Sequence, residues 1–390
     1  MSTSHTLKPL AVLPGHTDRA WNIAWNPTRP LLASCSADKS VRIYAYTPNT
    51  PTPAFTPLST IPTGHTKAVR ALAWSPSGRT LATASFDSNI GIWEQEHAHD
   101  DMHDDNDDAM IGDGEWECVS QLEGHETECK SVAYSSTGTL LASCSRDKTV
   151  WVWEVHPDSD FECMGVLMDH TQDVKCVAWH PTQEVRSYTL LPPHPPTHPY
   201  LHTQVLASAS YDDTIKLYID DPQDDWFCFA TLTGHTSTVW CIAFSPCGAY
   251  LASASDDRTV RVWQRVGAEE YRWECALVLE GHERSVYSLS WGVGVGAGTS
   301  PSTGTGKEKE KDENKHLGWL ASTGGDGRIL VWELSEGPTK PAHRLIARVE
   351  AAHGVYDVNA VAWCPRAGHT DLLATAGDDG ATRVWKMDVL

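Results

Sequence analysis

The 390-residue sequence predicts an all-β fold, a single domain built from seven copies of one strand-rich unit. Alternating apolar runs bounded by Gly, Ser or Asp recur along nearly the whole chain, which is how half-buried strands read. Seven copies run from a histidine to a closing aromatic: His16 to Tyr44, His65 to Trp93, His125 to Trp153, His170 to Tyr218, His235 to Trp263, His282 to Trp332 and His353 to Trp385. Six residues before each closing aromatic stands an Asp (Asp38, Asp87, Asp147, Asp212, Asp257, Asp326, Asp379). Four residues before that Asp stands a Ser or Thr (Ser34, Thr83, Ser143, Ser208, Ser253, Ser322, Thr375).

In chain order, Leu7 to Leu13 is an apolar strand ahead of Gly15-His16, and only five residues follow Trp385. The N-terminal strand is therefore expected to complete the last blade, closing the ring and hiding its strand edges. Segment 47–62 is rich in Pro and Thr and reads as a flexible loop between the first two blades. Segment 95–114 sets His97, His99 and His103 among a run of aspartates without fixed ligand spacing, and reads as a solvated, flexible insertion rather than a metal site. Segment 186–205 carries Pro and His in a pattern that fits no element, and its removal restores the spacing of the other copies. Val185 to Gln204 is expected to be a translated short intron, since Val-Arg can be encoded by a GT-rich splice start and Gln by CAG. Segment 292–315, rich in Gly and Ser/Thr and then alternating Lys with Glu, reads as another flexible insertion.

A period of about 40 residues opening on Gly-His and closing on Trp resembles the WD-repeat, so the expected architecture is a seven-bladed WD-repeat β-propeller. His125, Ser143, Asp147 and Trp153, with their equivalents, look at first like a hydrolase constellation. Nucleophilic catalysis needs one activated group beside an oxyanion site, whereas this set is repeated in every copy. In the WD-repeat family the matching residues form a hydrogen-bonded chain across a blade, so the resemblance implies a structural set. No phosphate loop, HExxH or carboxylate pair rivals that reading, and neither catalytic residues nor enzyme activity are expected.

The formal charge of −21 disfavours nucleic acid, because phosphate contacts require a basic face. No run of ~18 apolar residues and no signal-peptide core is found, which predicts a soluble intracellular protein with no membrane partner. The eleven cysteines include no C-x-x-C. Cys118, Cys163, Cys228 and Cys275 each stand seven residues before the next copy's histidine. They are expected to be buried in strand packing, with no metal and no disulfide.

Function must then lie where the copies differ, at the turns. Five residues after each histidine, allowing one extra in the last copy, stand Trp21, Arg70, Lys130, Lys175, Trp240, Tyr287 and Asn359. Just before each turn Asp stand Ala37, Phe86, Arg146, Tyr211, Asp256, Gly325 and Asp378. The expected partner-binding set at the channel mouth is Arg146, Lys175, Lys130 and Arg70, flanked by Trp21, Phe86, Tyr211, Trp240 and Tyr287. Cations beside aromatics suit a peptide bearing carboxylates and an aromatic or apolar anchor.

The runs Ser145-Arg146-Asp147-Lys148-Thr149-Val150-Trp151-Val152-Trp153, Asp169-His170-Thr171-Gln172-Asp173-Val174-Lys175, Ser210-Tyr211-Asp212-Asp213-Thr214-Ile215, Asp224-Asp225-Trp226 and His353-Gly354-Val355-Tyr356-Asp357-Val358-Asn359 resemble the cytosolic iron–sulfur protein assembly WD-repeat family. Ser85-Phe86-Asp87-Ser88 is similar too, and the departures lie in the inserted loops. The resemblance implies a non-enzymatic scaffold of the targeting complex that delivers clusters to cytosolic and nuclear apoproteins. It implies as partners a small adaptor with a reactive cysteine, a HEAT-repeat scaffold, an iron-only-hydrogenase-like cluster carrier and the Fe–S apoprotein clients. It implies no cofactor of the chain's own and a cytoplasmic location extending to the nucleus. The alternative is a WD-repeat scaffold of another pathway, binding histone tails or ubiquitin-ligase substrates.

Overall fold

The computed structural model describes residues 5–13, 15–48, 50, 52–95, 114–157, 159–182, 184–187, 200–220, 226–266, 272–294 and 316–389. Seven four-stranded antiparallel sheets form a ring, the β-propeller expected from the repeats. Their inner strands are Ala20–Trp25, Val69–Trp74, Cys129–Tyr134, Val174–Trp179, Val239–Phe244, Val286–Gly292 and Val358–Trp363. The last blade is completed by His5–Leu13, which pairs antiparallel with Thr382–Val389 in the register Leu7 to Met387 and Leu13 to Thr382. The ring is thus closed by strand pairing between its first and last strands.

Second strands such as Leu31–Ser36 and Val205–Ser210 are buried along their whole length. They read Leu-Leu-Ala-Ser-Cys-Ser and Val-Leu-Ala-Ser-Ala-Ser because a neighbouring blade covers each face, and small side chains let the sheets approach. An apolar cluster fills each seam between adjacent blades. Large aromatics ending the inner strands tie blade to blade: the indole N–H of Trp25 donates to the Ala362 carbonyl (2.9 Å) and that of Trp74 to Ala24 (3.2 Å).

Three expectations are corrected. Segment 47–62 is not all loop, because Phe55–Pro62 is the outer strand of the first blade, paired with Ser40–Tyr46. An outer strand needs donors on one edge only, which is why Pro57 and Pro62 are tolerated there. Segment 186–205 has backbone order at both ends: Glu184–Ser187 pairs with Tyr200–Thr203 as a two-stranded ribbon, and Val205 opens a core strand. Cys118, Cys163, Cys228 and Cys275 do share one repeat position, opposite Trp93, Trp153, Tyr218 and Trp263, but none is buried. Cys118 and Cys163 are exposed, since an outer strand has no neighbouring sheet beyond it.

The remaining insertions lie mostly outside the described residues, which omit 96–113 and 295–315. Their flanks are ordinary blade: Gln95 is buried at a strand end with its amide donating to the Gly114 carbonyl (3.1 Å), and Gly292 ends an inner strand. Asp224 and Asp225 also lie outside the described residues, while Trp226 opens an outer strand.

Candidate partner-binding mouth

In every blade the opening histidine bridges the turn Asp and the strand Ser or Thr. His125 lies 2.8 Å from Asp147 through Nδ1 and 2.9 Å from the Ser143 hydroxyl through Nε2, and the Trp153 indole N–H donates to Ser143 Oγ at 3.0 Å. The set of His125, Ser143, Asp147 and Trp153 is matched at His65, Thr83, Asp87 and Trp93 and at His235, Ser253, Asp257 and Trp263. The sixth blade departs: the Trp332 indole nitrogen has no partner among the described residues. The first and fourth blades carry Tyr44 and Tyr218 instead, which have no indole N–H to give. Burial opposes ionisation of Asp147, but hydrogen bonds from His125 and Thr149 outweigh it and hold its pKa well below the usual carboxylate range. Asp326 is held at about 2 by the same balance of burial against the His282 hydrogen bond.

The turns converge on a cavity of about 320 Å³ at one end of the channel. Its wall includes Trp21, Arg70, Lys130, Lys175, Trp240, Tyr287 and Asn359, one residue from each inner strand. Each is the extra residue of a β-bulge, skipped in the pairing of the inner with the second strand. A bulge turns the unpaired side chain out of the ladder, here into the mouth. The five-residue spacing is the distance from histidine to bulge.

Phe86 also lines the cavity, whereas Arg146 and Tyr211 stand outside it on the rim. Arg146 is 59% exposed and 3.6 Å from Glu128, and Tyr211 is 54% exposed. Cations and rings interleave around blades one to five. Arg70 lies 5.2 Å from the Trp21 ring centre, Lys130 4.2 Å from Phe86, and Lys175 5.3 Å from Tyr211 and 5.1 Å from Trp240. Trp240 packs edge-on to Tyr287 at 5.6 Å.

The spacing rule alone misses the acids. Lys130 is 2.5 Å from Glu128 and Lys175 is 3.1 Å from Asp173, so both ammonium groups are already paired. Arg19, Asp357 and Asp378 line the opposite wall, with Arg19 3.5 Å from Asp378 and the Asn359 amide donating to Asp378 at 2.8 Å. Burial and the neighbouring Asp378 push the Asp357 carboxyl up. The mouth is bipolar rather than basic. The signal was present two residues before four of the seven bulges, where Arg19, Glu128, Asp173 and Asp357 stand. Arg70 is half-buried like the lysines, and burial lowers its pKa as it does that of Lys130, but it differs in having no carboxylate partner among the described residues.

Among the described residues, one grouping of potential metal ligands is found, Glu154, His156 and Glu162. It lies at the end of the third strand of blade three, on the face opposite the mouth. No helix among the described residues is long and apolar enough to cross a membrane.

The WD domain, G-beta repeat, family matches residues 7–45, 55–94, 116–154, 161–218, 226–264 and 346–386. A probable cytosolic iron-sulfur protein assembly protein 1 of Cryptococcus neoformans var. neoformans serotype D is 38% identical, over 98% of this chain and 99% of its own length. Its namesake in Mycosarcoma maydis is 45% identical over 98% of this chain and 93% of its own, and that of Debaryomyces hansenii 36% identical over 97% and 100%. With seven four-stranded blades, WD-repeat matches and near full-length similarity to these proteins, the chain belongs to the cytosolic iron–sulfur protein assembly family of WD-repeat propellers.

Proposed function

We propose that this chain is a non-enzymatic scaffold of cytosolic iron–sulfur protein assembly, acting in the cytoplasm and nucleus. It holds apoprotein clients and assembly partners by protein contacts at the mouth: the cysteine-bearing adaptor, the HEAT-repeat scaffold and the hydrogenase-like carrier. The names of its full-length relatives support the pathway. The mouth supports the mode of action, and the observation that carries it is Arg70, a half-buried cation with an aromatic beside it and no counter-ion among the described residues. An incoming carboxylate completes that pair, while Phe86, Trp240 and Tyr287 offer an apolar bed for the side chain next to it. Arg146 and Tyr211 extend this surface over the rim.

Both ring nitrogens of the recurring histidines are engaged within the blade, which leaves them no role as general base. The acidic wall of Asp357 and Asp378 favours a second reading, a reader of basic peptides. One experiment separates the two. Tagged wild-type protein and the double variant Arg70→Gln with Lys175→Gln are purified from cells and their partners identified. Losing a desolvated charge pair costs ~2–5 kcal/mol of affinity, so the variant is expected to lose iron–sulfur apoproteins and assembly factors while its melting curve holds. Undiminished capture of those partners would remove the mouth from the mechanism. Capture of basic, histone-like proteins in their place would favour the second reading.

A further inference from the structure

The third and fourth strands of blade three, Val150–Val155 and Phe161–Leu167, set Glu154 directly opposite Glu162. Two carboxylates in that relation share one face of the sheet and repel each other, which is destabilising unless a cation stands between them. Among the described residues neither pairs with a Lys or Arg. Blades five and six treat the same register differently. Gln264 faces a Glu274 already paired with Arg272 at 2.7 Å, and Glu333 faces Arg344, its own ion-pair partner at 2.7 Å.

The residue after the third strand is His156, and the hairpin fixes its backbone. Its N–H donates to the Asp160 carbonyl at 3.0 Å, and its carbonyl accepts from the Ser159 N–H at 3.1 Å. The imidazole Nε2 then stands 3.9 Å from a Glu162 carboxylate oxygen, and one donor atom from each of Glu154, His156 and Glu162 falls within 4.8 Å of the other two. The opening histidines spend both ring nitrogens inside their blades, whereas the His156 ring makes no hydrogen bond among the described residues. Ligands held ~2.1 Å from a tetrahedral zinc ion stand roughly 3.4 Å apart. Closing the present spread takes about an ångström of movement, within reach of a rotamer change in the 78% exposed Glu162 side chain.

We propose that Glu154, His156 and Glu162 form a zinc site on the blade-three hairpin, on the face opposite the mouth. An imidazole nitrogen among carboxylate oxygens suits zinc, whereas calcium and magnesium take oxygen ligands throughout. The ion cancels the repulsion between Glu154 and Glu162 and ties the two strands together, and three protein ligands leave the fourth position to water. Blade two supplies the internal contrast. It sets Glu94 opposite Glu117 in the same register but carries Glu96 where blade three has His156, so it lacks the nitrogen ligand that selects the metal.

The test titrates zinc sulfate into the tag-free, metal-stripped full-length chain in competition with a chromophoric zinc indicator. The expected result is one site of micromolar affinity that disappears in His156→Ala and weakens about tenfold or more in Glu162→Gln. It is expected to persist in Glu117→Gln and in the triple variant His97→Ala, His99→Ala, His103→Ala. A His156→Ala chain that binds zinc as the wild type does would overturn the proposal. So would loss of the site in the triple variant, or a wild-type chain that does not compete with the indicator. X-ray absorption of the wild-type zinc complex decides even if a variant does not fold. One imidazole with oxygen neighbours supports the site, whereas a sulfur shell or several imidazoles would place the ion elsewhere and overturn it.

Discussion

Proton placement within a blade follows from which groups can only donate. An indole N–H must donate, so Ser143 accepts from Trp153, its own hydroxyl donates to His125 Nε2, and His125 Nδ1–H donates to Asp147. Ser143→Ala therefore strands two buried groups and is expected to cost about 2–4 kcal/mol in denaturant unfolding. Ser322→Ala is expected to cost about 1 kcal/mol less, because Trp332 makes no such bond. The aspartates also fix the response to acid. Their folded pKa values lie below the unfolded ones, so their contribution is full above the ordinary carboxylate value of about 4 and is lost as pH falls toward the depressed one. A melting temperature that is flat from neutrality to pH ~5 and falls steeply below ~4 is expected. All seven networks were legible in sequence because the spacing from Ser or Thr to Asp to the closing aromatic never varies. Whether the closing aromatic joins them was not, since that depends on the angle of one ring.

Each turn places the residue after its Asp in the left-handed region. Lys39, Ser88, Lys148, Asp213 and Arg258 have φ of 70, 79, 75, 65 and 68°, and the last two blades use Gly327 and Gly380. A non-glycine residue there costs about 1–2 kcal/mol, partly offset by the entropy glycine loses on folding. Lys148→Gly is accordingly expected to raise stability by ~0.5 kcal/mol, read from the unfolding midpoint. At the blade-four insertion, excising 185–204 leaves a turn between Trp179 and Leu206 as long as that between Trp74 and Leu81. The shortened chain is expected to fold with an unchanged melting curve, and a spliced message lacking these codons would identify them as an intron. The strand Phe55–Pro62 was not legible, because two prolines mask it and only its place at the edge of a sheet makes them harmless.

At the level of the whole molecule, closure is the strand pair between His5–Leu13 and Thr382–Val389. Removing residues 1–13 exposes the edge of Thr382–Val389 and the seam behind Leu7 and Leu13, so the truncated chain is expected to aggregate or melt far earlier. A monomer with the wild-type melting curve would refute closure by this strand. The sequence by itself determined the number of blades, their hydrogen-bonded sets and the residues five after each histidine, because repetition turns each of these into a spacing, while the pathway family came from the resemblance of particular runs. What faces what across the channel was decided only by the tertiary structure. Seven local bulges, separated along the chain, become one wall when the ring closes. Only then do Glu128 and Asp173 prove to occupy the lysines, Asp357 and Asp378 to line the same mouth as Arg70, and Arg146 to stand outside on the rim. Charges act over a few ångströms, and that distance is set by ring closure rather than by position along the chain.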